Sequence, residues 1–111
     1  MENDLLSLQN YLIGKNCGDI AFYDISKEQQ DCKYVVVVTM PTTLENKDFA
    51  LSVMNDLGVD RFPEGYNRGE WIIFDFDDMV LHSFVPASRE KYSLDKLWQN
   101  KKMKLPKQSN D

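Results

Sequence analysis

Leucines at positions 5, 8 and 12 recur at helical spacing, and Leu6 and Ile13 widen the same apolar face. Asn3 or Asp4 can cap this first helix, and Gly14 is a natural stop. Asp19 to Ser26 (DIAFYDIS) reads as a strand with Ile20 and Phe22 pointing one way. Lys33 to Met40 (KYVVVVTM) is β-branched and apolar throughout, which predicts a central strand covered on both faces and ended by Pro41. Thr42 and Glu45 have capping-box spacing. The helix behind them carries Phe49, Val53 and Leu57 on one stripe, with Ala50 and Met54 beside it and Gly58 at its end. A loop of charged residues, Gly and Pro fills positions 59–70. Trp71 to Phe76 and Met79 to Val85 then read as two strands joined by a tight turn at Asp77-Asp78. Pro86 breaks the second of these, and Ser88 or Ser93 can cap a last helix ending near Trp98.

The order is α-β-β-α-β-β-α, which predicts an α/β (α+β) layer structure with a mixed sheet flanked by helices. Residues 1–98 form one domain on this reading, and residues 99–111 form a flexible lysine-rich tail.

Composition narrows the class. With 111 residues there is room for one small domain, and 42% hydrophobic against 28% charged residues is a globular balance. The longest apolar run, around Val35 to Val38, is far short of a membrane span. The acidic opening Met-Glu-Asn-Asp is unlike a signal peptide, and Cys17 and Cys32 lack metal-ligand spacing and read as free thiols. These features predict a cytoplasmic protein. The first 98 residues carry nine basic against seventeen acidic side chains, a net −8, whereas the last 13 carry four lysines against Asp111, a net +3. Such a body repels nucleic-acid phosphate and attracts basic partners.

Candidate chemistry concentrates between Trp71 and Trp98. Alternation places Ile72, Phe74 and Phe76 on one face and Trp71, Ile73 and Asp75 on the other. A tryptophan beside a carboxylate on a partly wet sheet face suits a protein-binding anchor. The alternative is a packed indole with Asp75 tying down the turn. Asp75, Asp77 and Asp78 could hold a divalent ion, as carboxylates on adjacent strands do in nucleotidyltransferases. Against this, no Gly-rich phosphate cradle precedes a helix, and turn aspartates have backbone roles of their own. No metal and no cofactor is expected. His82, the sole histidine, alternates with Val80 and Phe84. It reads as a hydrogen-bonded side chain shaping the sheet surface, or as a partner contact.

Glu64-Gly65-Tyr66, Trp71, Asp75, Asp78, His82, Phe84, Arg89, Tyr92, Leu94, Leu97 and Trp98 form an ordered series. With Asp19-Ile20, Asp24-Ile25 and the segment Asp31 to Val38, it resembles the ribosomal silencing factor (Iojap-like) family over residues 19–98. The resemblance implies a nucleotidyltransferase-like fold without the catalytic residues, and a protein that is not an enzyme. It implies binding to the large ribosomal subunit through the fourteenth large-subunit ribosomal protein, on the face that meets the small subunit. Blocking subunit association there represses translation when nutrients are scarce. It also implies a possible homodimer. Trp71, Asp75, Asp78 and His82 are then contact or contact-shaping residues. Phe84 belongs to the same partner-binding set, while Arg89 and Tyr92 brace the last helix against the hairpin. The lysines from Lys101 to Lys107 could touch ribosomal RNA.

Two positions depart from the family pattern. Asp77 stands where a small residue, usually Gly, is expected, so that the turn needs an Asp at positive φ. Met40-Pro41-Thr42-Thr43-Leu44 replaces a Gly-Thr-Ser-like stretch with a basic residue. The runner-up function is a small metal-dependent nucleotidyltransferase using Asp75 and Asp78.

Overall fold

A computed structural model describes residues 2–28 and 32–105; Asp31 and Lys107 lie outside the described residues. Helix α1 (Glu2–Gly14) leads into β1 (Gly18–Asp24) and β2 (Tyr34–Thr39), followed by α2 (Thr43–Leu57). The hairpin β3 (Trp71–Asp75) and β4 (Met79–Phe84) precedes two short helices, α3 (Pro86–Tyr92) and α4 (Leu94–Leu97). A 3-10 turn at Gln99–Lys101 delivers the chain to β5 (Lys102–Met103).

The five strands form one sheet in the order β3-β4-β2-β1-β5. β2 and β4 are parallel, and the remaining neighbours are antiparallel. β2 lies at the centre as its composition predicts. Val36 and Val38 face α1 and α2, and Val35 and Val37 face the opposite layer; all four are buried. Leu5, Leu8 and Leu12 of α1 join Phe49, Ala50 and Val53 of α2 over Phe22, Ile72, Phe74 and Leu81. The second layer holds Ala21, Tyr23, Ile25 and Phe84 under Leu94, Trp98 and Trp71.

Several local details differ from the sequence pattern. Asn3 and Asp4 lie inside α1, which begins at Glu2, and Ile13 stays exposed. β1 stops at Asp24, whose carboxylate accepts from the backbone and hydroxyl of Ser26 and turns the chain. The buried stripe of α2 runs Asn46, Phe49, Ala50 and Val53, one turn earlier than the apolar pattern, and Leu57 is exposed. A polar Asn can occupy that stripe because its amide is satisfied. Nδ2 donates to the carbonyls of Gly69 (2.9 Å) and Ser83 (3.0 Å), and Oδ1 accepts from the Ser83 hydroxyl. Thr42 caps the helix as expected: its Oγ1 accepts from the Glu45 backbone N–H at 3.1 Å, and its hydroxyl donates to Glu45 Oε1 at 3.1 Å.

The last helix is two helices. Val85 stands at the N-cap of α3 with Pro86 in its first turn, so Ser88 lies within the helix. Ser93 adopts a left-handed conformation (φ 51°) and breaks the helix without capping α4 through its side chain. Beyond Trp98 the chain returns to the edge of the sheet. Met103 pairs with Phe22, Met103 and Leu105 pack on the α1/α2 core, and Lys101 pairs with Glu28 at 3.0 Å. Lys101 is thus engaged with the body.

Candidate protein-recognition site

The β3–β4 hairpin presents its outer face in cross-strand pairs: Trp71 opposite Phe84, Ile73 opposite His82, and Asp75 opposite Val80. Strand alternation explains the split, because the intervening Ile72 and Phe74 are fully buried on the α1/α2 side. The edge of β3 is fixed by the Glu64-Gly65-Tyr66 loop. Glu64 and Ile73 exchange both backbone hydrogen bonds (3.1 and 2.9 Å). Gly65, at φ 83°, lets the loop lie against the Trp71 carbonyl; a Cβ there would come within 2.0 Å of that oxygen.

Trp71 is the centre of an aromatic stack. Its ring lies 4.9 Å from Phe84, 4.6 Å from Tyr92 of α3 and 5.9 Å from His82. Its indole N–H donates to His82 Nδ1 at 3.0 Å. Nδ1 must then be unprotonated, so the neutral ring carries its proton on Nε2. Burial favours this form and pushes the His82 pKa down to about 4. An imidazole so shifted is uncharged throughout the physiological range. It holds the indole in place and is no titrating acid–base group at neutral pH.

Asp75 acts through its side chain and Asp78 through its backbone. Asp75 Oδ1 accepts from the Asp77 backbone N–H at 3.1 Å, and its carboxylate lies 3.9 Å from exposed Arg61. Asp77 occupies the left-handed region at φ 71°, as the turn requires. The Asp78 carbonyl accepts from the backbone N–H groups of Lys33 (2.7 Å) and Tyr34 (3.1 Å), tying the hairpin turn to β2. Burial first, and then the charges of Asp75 and Asp78, raise the pKa of the Cys32 thiol beside them. Among the described residues, no three His, Cys, Asp or Glu side chains converge on a possible metal position.

The proposed contact residues thus divide. Trp71 and His82 are half-buried and Asp75 is exposed. Phe84, placed in the contact set by sequence, is fully buried at 0% exposure and supports Trp71 from beneath. Tyr92 does brace the hairpin by lying on Trp71, yet remains 46% exposed and is the outermost ring of the stack. Arg89 braces in the other direction, towards the sheet centre. It grips Asp95 through two bonds of 2.9 Å, donates to Thr39 Oγ1 at 2.9 Å, and reaches the Asp19 carbonyl. Asp95 also accepts from the Tyr23 hydroxyl, and its own pKa is lowered chiefly by the hydrogen bonds from Arg89. Sequence reasoning missed Asp95, Tyr23 and Thr39. The only local signal was the spacing of Arg89 and Asp95 on either side of Ser93.

The fold is a small α+β domain whose β3–β4 hairpin and α3 carry a partly exposed aromatic stack. Residues 2–111 match the family described as "Ribosomal silencing factor during starvation", and the chain belongs to that family. The family's role is regulatory and not catalytic.

A ribosomal silencing factor of Chromobacterium violaceum is 34% identical over 88 residues, covering 76% of this chain and 72% of that one. A mouse protein named "Mitochondrial assembly of ribosomal large subunit protein 1" is 46% identical over 35 residues, 32% of this chain and 15% of that protein. A crystal structure of a Chromobacterium violaceum protein superposes with a TM-score of 0.78 at 28% identity, covering 100% of this chain and 97% of that one. No helix among the described residues is long and apolar enough to cross a membrane.

Proposed function

We propose that this protein binds the large ribosomal subunit on the face that meets the small subunit, through the fourteenth large-subunit ribosomal protein. Bound there, it stops the subunits joining and lowers translation when nutrients are scarce, acting in the cytoplasm. The observation that carries the reading is the Tyr92–Trp71–His82 stack, a partly exposed aromatic surface built from the β3–β4 hairpin and α3. Aromatic side chains with their rings already ordered make strong anchors because little side-chain entropy is lost on binding. Membership of the silencing family and the name of the mouse relative both favour a large-subunit partner. The charge agrees: a chain of net −5 suits a basic ribosomal protein better than bare RNA.

Obstruction requires only size. The ordered body measures 33 × 32 × 27 Å, too large to fit between surfaces that must meet in contact. No bond needs to be made or broken. Self-association through the same surface would compete with this binding.

Co-sedimentation with purified subunits tests the reading. Wild type should travel with the large subunit. Trp71→Ala should stay folded and bind about 30-fold more weakly, the loss of about 2 kcal/mol typical of an interface anchor. Equal co-migration of both would remove Trp71 from the site. The nucleotidyltransferase alternative would require Asp75 and Asp78 to hold Mg²⁺. Heat and turnover on titration with Mg²⁺ and a nucleoside triphosphate would revive it.

A further inference from the structure

We propose that Arg89 is a positioning residue for the partner-binding surface: it sets the angle between α3 and α4, and so presents Tyr92 and Leu97 together. The inference rests on the reading that the aromatic surface binds a partner. Tyr92 ends α3 and Leu97 ends α4. They are exposed by 46% and 67%, the two large apolar side chains of this elbow that face solvent. Between them stands Ser93, whose left-handed backbone makes the elbow and whose hydroxyl donates only to the Glu90 carbonyl. Helices of seven and four residues cannot hold an angle by their own hydrogen bonds. Something else must fix it.

Arg89 does so from below. Its side chain is 14% exposed. It joins α3 to α4 through the paired bonds to Asp95, and joins both to the sheet through Thr39 Oγ1 on β2 and the Asp19 carbonyl on β1. Tyr23 closes the assembly from β1 by donating to the same Asp95 carboxylate. The planar guanidinium satisfies this set in one orientation, which a lysine ammonium cannot do. Arg89 therefore acts on a partner through Tyr92 and Leu97 while four of its five N–H donors are occupied within the domain.

The consequence is kinetic. If the elbow is preset, removing Arg89 lowers the fraction of molecules in the competent shape, and apparent affinity falls by that fraction. The experiment measures association and dissociation rates of Arg89→Lys on immobilised large subunits. It also records NMR signals of the Tyr92 ring and the Trp71 indole N–H in the free protein. The expected result is association slowed about tenfold, with dissociation unchanged. The Tyr92 ring signals should shift towards averaged values while the Trp71 signal persists. Faster dissociation at unchanged association would make Arg89 a direct contact and overturn the proposal. Unchanged rates with a mobile Tyr92 would overturn it as well. If Arg89→Lys does not fold, Thr39→Val, which deletes one of the bonds, carries the same comparison. If wild type fails to bind the large subunit, the functional reading falls. The NMR arm then decides the elbow alone: an unmoved Tyr92 ring in the variant rejects its setting by Arg89.

Discussion

The indole N–H of Trp71 donates to Nδ1 of His82 across neighbouring strands, at 3.0 Å. The bond works only while that nitrogen is unprotonated, which links the recognition surface to pH. Burial holds the His82 pKa near 4, against an ordinary value of 6.5. Between these values the unfolded chain binds a proton that the folded protein does not. Stability therefore rises with pH across this window: it is complete above about 6.5 and is lost as pH falls towards 4. The contribution is about 2 kcal/mol once partial exposure is allowed for. The carboxylates of Asp24, Asp56 and Asp95, all lowered from 3.8, lose their contributions only at more acid pH. Urea unfolding at pH 7 and pH 4.5 should show this slope, and His82→Gln should flatten it. A slope unchanged in that variant would place its origin elsewhere.

Asp77 carries the positive φ that the hairpin turn demands. Asp77→Gly relieves this without removing the backbone N–H that donates to Asp75. Thermal melting should show a gain of about 0.5 kcal/mol, the relief of strain being partly offset by the greater freedom of glycine in the unfolded chain. A lower melting temperature would mean that the Asp77 side chain has an unrecognised partner.

Gly65 has no such latitude. Its φ of 83° and the approach of the Trp71 carbonyl leave no room for a methyl group. Gly65→Ala should cost about 2 kcal/mol or more and should detach the Glu64–Ile73 pairing. Hydrogen exchange at the Ile73 amide reads this directly; protection equal to wild type would show that the loop can shift to accommodate the methyl.

Asn46 and Ser83 form a buried polar pair joining α2, the loop at Gly69 and β4. Asn46→Ala leaves two carbonyls and a hydroxyl short of partners and should destabilise by about 2–3 kcal/mol. Ser83→Ala should cost less, and the double variant should cost less than the sum of the two. Strict additivity in denaturant titrations would argue that the pair is uncoupled.

What the sequence made legible follows a physical division. Runs with strong period, such as Leu5-Leu8-Leu12, the valines of β2 and the alternation from Trp71, depend on burial of many apolar groups and were readable. The left-handed Asp77 was readable because a two-residue turn has few solutions. Asn46 was not, because a polar side chain enters a core only when distant carbonyls satisfy it, and local sequence is silent about them. The α3–α4 elbow and β5 were missed for the same reason. Ser93 bends where Arg89, Asp95 and Tyr23 meet, and Lys102–Met103 pairs with a strand eighty residues earlier. Phe84 entered the contact set through the resemblance, and neither the resemblance nor strand alternation reveals that Trp71 and Tyr92 stack against it on that outer face and that it is fully buried.

The most direct test is the rate at which purified small and large subunits associate, followed by light scattering as this protein is added. Wild type should slow joining in proportion to its occupancy of the large subunit, and Tyr92→Ala, folded but lacking the outermost ring, should require about 30-fold more protein for the same effect. Joining that proceeds at its normal rate with the large subunit saturated by wild type would contradict the account.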